Sequence, residues 1–157
     1  EAQAKLLHDR AYQLATDPTK PSGLPTALDR VPLFDFAPLQ NAVDGLKHAA
    51  MAYDDALAKH GAHLSAIQLA RLQALMVTID QTLAPENIGL PGRNWYKNLV
   101  YAPGRYTGYE GKTLPGVREA IEDRRWSDVS RYIQLTAQAL NAYSERLNAA
   151  TAVLNGS

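Results

Sequence analysis

The chain has 157 residues, 46% of them hydrophobic and 20% charged, an ordinary globular balance with enough length for one domain and a buried core. Its 16 basic and 16 acidic residues cancel, so charge gives no case for nucleic acid or an anionic membrane surface as partner. It has no cysteine, which excludes disulfides, thiolate catalysis and cysteine-based zinc sites within these residues.

In chain order, Ala4, Leu7, Ala11 and Leu14 predict a weak opening helix ending before Asp17-Pro18. Residues 17–33 hold Pro18, Pro21, Gly23, Pro25 and Pro32 and read as a loop or linker. Phe36, Leu39, Val43, Leu46, Ala50, Tyr53 and Leu57 then step by three and four, one apolar stripe on a helix. Asp35 is its expected N-cap, Pro38 falls in its first turn, and Gly61 is its expected C-cap. A third helix follows from a Ser65 cap through Leu69, Leu72, Met76, Ile79 and Leu83, stopped by Pro85.

Residues 85–114 are non-helical and far longer than an ordinary connection, which favours a functional loop. They carry Trp95, Tyr96, Tyr101, Tyr106 and Tyr109, with glycines at 89, 92, 104, 108 and 111. Aromatics can anchor such a loop, and glycines allow its turns. Thr113 and Pro115 open a short helix to about Asp123. The last and longest helix follows Val129, Ile133, Thr136, Leu140, Tyr143, Leu147, Ala150 and Leu154, closed by Asn155-Gly156. The fold class expected is all-α: a four-helix bundle with a long ordered aromatic and glycine-rich loop before the last helices. Proline and glycine cut the segments too short for an extended coiled coil.

No segment approaches the ~20 apolar residues of a membrane-spanning helix, and no signal peptide is visible. The chain starts at Glu1 rather than Met, so the expectation is a processed product or a piece of a longer protein whose other domains hold the chemistry.

The chemistry-bearing residues read mostly as structure. His60 and His63 have metal-site spacing, but Gly61 lies between them, no cysteine is available, and they fall at a helix–helix turn. His8 and His48 are isolated. Asp54 and Asp55 point about 100° apart on a helix, a poor catalytic pair. Glu122, Asp123, Arg124 and Arg125 read as capping and local ion pairs. Tyr53, Tyr132 and Tyr143 sit at core spacing. No nucleophile elbow, HExxH, P-loop or dinucleotide fingerprint occurs. Catalytic residues and metal ligands are therefore both expected to be none.

The stretch Gly89-Leu-Pro-Gly-Arg-Asn-Trp-Tyr-Lys-Asn-Leu-Val-Tyr-Ala-Pro103, followed by Tyr-Glu-Gly-Lys-Thr-Leu-Pro-Gly-Val117, resembles the paired signature of the glutamate carboxypeptidase II and transferrin receptor family. The likeness runs from Phe34 through Trp126 and the final helix; residues 1–33 match only loosely. It implies the family's C-terminal helical dimerisation domain, which follows a zinc peptidase domain and supplies much of the homodimer interface. Zinc is then expected in the parent's peptidase domain and no cofactor in this one. The expected partners are a second copy and the parent's peptidase domain. The parent would be a zinc-dependent carboxypeptidase or aminopeptidase. A periplasmic or secreted location is expected if it is a bacterial peptidase.

In the family's peptidases the long loop reaches the substrate pocket, where a Lys-Tyr pair receives an acidic C-terminal residue. That pair corresponds here to Gly108-Tyr109: the tyrosine is kept and the lysine is lost. The resemblance thus assigns Tyr109 and Gly108 to substrate binding in the parent, with preference for a terminal glutamate in doubt. Two other readings stand beside it: the domain of a non-catalytic, receptor-like relative, and a free-standing helical bundle that binds a ligand or partner.

Overall fold

The computed structural model describes residues 2–15, 19, 25 and 28–156. The expected stop at Asp17-Pro18, and Pro21 and Gly23 of the expected loop, lie outside the described residues. The chain divides into two compact units, residues 1–32 and 33–157.

In the first unit the expected opening helix is two short ones, α1 (Ala2–His8) and α2 (Ala11–Ala15). Arg10 lies between them with φ 56°, in the left-handed region that an α-helix of L-residues cannot continue through. No residue of α1 is buried, so no apolar seam favours one continuous helix.

The second unit holds four described helices: α3 (Ala37–His60), α4 (Ala66–Val77), α5 (Pro115–Glu122) and α6 (Trp126–Leu154). It also holds an antiparallel hairpin of β1 (Tyr101–Pro103) and β2 (Gly111–Thr113). The fold is therefore mostly helical with a small sheet, not all-α. Three-residue strands are too short to leave an alternating pattern in the sequence. The four helices are also unequal. The 29-residue α6 is the axle on which α3, α4, α5 and a 3₁₀ turn at Ile79–Leu83 each pack.

The α6 stripe is as the periodicity predicts. Val129, Ile133, Thr136, Leu140, Leu147, Ala150 and Leu154 are all buried, and Tyr143 is half-buried. The α3 stripe is rotated from its expected face. Leu39, Ala42, Ala49 and Ala56 are buried and Leu46 and Tyr53 half-buried, while Val43 and Leu57 are 50% and 41% exposed. Small residues let two long helices approach closely, so the alanines take the seam and the longer side chains flank it.

Helix ends follow local chemistry with some corrections. The residue at the α3 N-cap position is Phe36, not Asp35. The Asp35 carboxylate still accepts the Ala37 N–H at 2.9 Å, and Pro38 sits harmlessly in the first turn. Gly61 ends α3 with right-handed φ −58° and leads into a 3₁₀ turn at Gly61–His63. Ser65 caps α4 in a capping box with Gln68, whose side-chain amide also donates to the Val153 carbonyl at 3.1 Å. α4 stops at Thr78, well before Pro85. The Thr78 hydroxyl bonds back to the Ala74 and Leu75 carbonyls, and the chain tightens into the 79–83 turn while Ile79 stays buried. Before α5 the cap position is Leu114, with φ 49°, and Thr113 belongs to β2 instead of capping. α5 and α6 meet closely: a Cβ on Gly116 would lie 2.2 Å from the Tyr132 ring, so only glycine fits there.

Candidate docking loop

Residues 85–114 are tied to the rest of the unit at several points and leave the tip at Gly108-Tyr109 free. The Leu99 N–H donates to the Leu83 carbonyl at 2.9 Å, and Leu90 and Leu99 are each 1% exposed. The Asn98 carboxamide oxygen accepts the N–H groups of Val100 and Tyr101, both at 2.9 Å, and so turns the chain into β1. The Tyr132 hydroxyl donates to the Gly89 carbonyl at 2.5 Å, and burial pushes its phenol pKa upward. Register in the hairpin pairs Tyr101 with Thr113, Ala102 with Lys112 and Pro103 with Gly111.

A buried carboxylate joins the two limbs of the loop. Glu119 on α5 is 0% exposed, and its Oε1 accepts from Arg93 Nη2 at 2.7 Å and from the Arg105 N–H at 2.9 Å. Arg93 also donates through Nη1 to the Pro103 carbonyl at 2.6 Å. The Asp123 carboxylate holds the outer part. It accepts from the Tyr106 hydroxyl at 3.0 Å and Arg105 Nη1 at 3.1 Å, with Arg125 Nε at 3.4 Å. Burial would raise the Asp123 pKa, but Tyr106, Arg125 and Arg105 together lower it below its usual value. Lys112 pairs with Glu122 at 2.5 Å. The acidic residues at the α5–α6 junction thus reach across to the loop and are more than local caps.

The sequence profile of the transferrin receptor-like dimerisation domain matches residues 34–148, which spans α3, the anchored loop and most of α6. This chain belongs to that family.

Curated relatives of this dimerisation domain are much longer proteins. A probable glutamate carboxypeptidase of Arabidopsis thaliana is 29% identical over 82 residues, 48% of this chain and 12% of that protein. A probable glutamate carboxypeptidase of Arthroderma benhamiae is 38% identical over 52 residues, 33% of this chain and 7% of that protein. The matches therefore span about an eighth or less of those relatives.

The structure of the dimerisation domain places Gly108 and Tyr109 together at the tip of the hairpin loop. Gly108 has φ +68° with open space around it, and its N–H closes a turn on the Gly104 carbonyl at 3.0 Å. Tyr109 is 101% exposed and packs on nothing. Arg105 and Lys112, the cations flanking the tip, are paired with Asp123 and Glu122. His60, His63, His48, Asp54 and Asp55 are all exposed, as is His8 beside Asp9. Among the described residues no group of three or more His, Cys, Asp or Glu side chains comes together as a metal site. No described helix is long and apolar enough to cross a membrane. The residues missed from sequence were Arg93 and Glu119. They lie 26 positions apart, and no local pattern pairs them.

Proposed function

We propose that this chain is the homodimerisation module of a glutamate carboxypeptidase-like zinc exopeptidase, and that its 85–114 loop carries Tyr109 to that peptidase's substrate pocket. The observation that carries the loop reading is the contrast within it. Its base is fixed by the buried Glu119, while Tyr109 projects fully into solvent. An aromatic phenol held out from an anchored hairpin is preorganised to complete a surface on another domain. The phenol can donate to a substrate's terminal carboxylate. Gly108 adds no cation, so a substrate with an acidic end residue gains no ion pair there and neutral or apolar ends are preferred.

Self-association has its own support in α4. Ile67, Ala70, Ala74 and Val77 form an outward stripe at steps of three and four, opposite the buried Leu72, with Ile67 71% and Val77 81% exposed. An apolar stripe left in solvent on an otherwise amphipathic helix suits a helix–helix contact with a second copy.

The test uses the full-length peptidase and its preference among C-terminal residues. Gly108→Lys raises the relative rate for terminal glutamate about tenfold to a hundredfold if a charged hydrogen bond forms. Tyr109→Phe weakens every substrate with a free terminal carboxylate by a similar factor. A parent that already favours glutamate and responds to neither substitution sinks the loop assignment.

A further inference from the structure

An apolar groove of about 440 Å³ opens between α3, the 79–83 turn and α6. That volume lies within the range of small-molecule sites. Its floor is hydrocarbon, with Leu46 from α3, Leu83 and Val100 from the chain beyond α4, and Leu140 from α6. Four polar side chains also line it: Tyr53 and Asp54 on α3, Asp80 in the turn and Tyr143 on α6. No lysine, arginine or histidine lines it.

Among the described residues neither the Asp54 nor the Asp80 carboxylate makes a side-chain hydrogen bond or an ion pair. Both are exposed. Asp80 is close enough to Tyr143 to add to the effect of burial in raising that phenol's pKa. The groove therefore combines an apolar floor, two phenol rings and an uncompensated charge of one sign.

We propose that this groove binds an amphiphilic organic cation, with its apolar tail on the leucine floor and its ammonium head between the Asp54 and Asp80 carboxylates and the Tyr53 and Tyr143 rings. Each feature selects for that chemistry. The floor rewards a hydrocarbon tail, about fourfold in affinity per buried methylene. The exposed carboxylates attract a head group that stays partly hydrated, so neither charge is stranded in a dry site. Tyrosine faces add attraction for an alkylammonium. A carboxylate or phosphate head meets two like charges and is rejected.

Titration of the full chain with n-octylammonium, n-octanol and octanoate, followed by calorimetry at low salt, tests this. Octylammonium binds saturably at least about tenfold tighter than octanol, and octanoate does not bind. Replacing both exposed acids, Asp54→Asn with Asp80→Asn, reduces the preference over octanol to under about threefold and leaves octanol itself unchanged. Ala50→Phe, which fills the groove from α3, removes binding of both, with the thermal melt reporting that the fold persists. Equal affinity for the three ligands overturns the proposal, as does a cation preference that survives the double asparagine variant. Absence of saturable binding by any of them, as when a second copy covers the groove, overturns it too.

Discussion

Glu119 and Arg93 are joined by a 2.7 Å ion pair in which the glutamate side chain is 0% exposed and the arginine side chain 8%. The same Glu119 oxygen takes the Arg105 N–H, so one carboxylate fixes both limbs of the loop. Removing one partner of such a pair leaves a buried charge uncompensated, which costs about 3–5 kcal/mol. Glu119→Ala should lose that much in denaturant melts. Arg93 Nε and Glu119 Oε2 are both buried without a protein partner, so the pair itself carries a desolvation penalty. The double variant Arg93→Met with Glu119→Leu should therefore recover part of the loss, the remainder being the Arg105 N–H and Pro103 carbonyl left without their partners. A double variant as unstable as the sum of the singles would show that shape, not charge pairing, governs this site.

Core and tip should separate cleanly. Leu72 is 8% exposed and Leu140 7%, and truncating either to alanine should cost about 2–5 kcal/mol. Tyr109→Ala should stay within about 0.5 kcal/mol, because the side chain touches nothing. Gly108→Ala has room for its Cβ but must hold φ +68°, a strain of about 1–2 kcal/mol for an L-residue. Urea melts of the four variants give the order directly.

Asp123 makes the outer anchor acid-sensitive. Its pKa is lowered in the folded chain from an ordinary 3.8. A carboxylate shifted downward adds stability that is present above its unfolded pKa and lost as pH falls through the folded one. The Tyr106 and Arg105 contacts should thus hold at neutral pH and release only below about pH 3.8. Asp123→Asn should remove this transition. Proton NMR of the Tyr106 ring across pH 2–6 measures both.

Self-association should run through α4 and be weak in this chain alone. A short helix stripe buries less than the roughly 1,000 Å² of a stable interface. Sedimentation across concentration should show a monomer–dimer equilibrium that Ile67→Lys with Val77→Lys shifts to monomer, leaving the melt unchanged. Loss of fold in that variant would place the stripe in the monomer's own core instead. A nanomolar dimer insensitive to it would move the contact to another face.

Sequence by itself determined the elements whose cause is local. The α6 stripe follows from side-chain periodicity, the α4 start from a serine three residues before a glutamine, and the loop from proline and glycine density. The paired motifs at 89–103 and 109–117 also marked the family, because they are contiguous in the chain. Tertiary structure alone decided the rest. Which face of α3 is buried depended on the alanines that α6 can approach, a property of two helices and not one. That Asp123 grips Tyr106 as well as its neighbour Arg125, and that Glu119 is buried beneath Arg93, rest on contacts between residues 17 and 26 positions apart. A charged side chain on an amphipathic helix reads as solvent-facing in any periodicity. Only the packed loop, by excluding water and supplying donors, makes a buried carboxylate tolerable there.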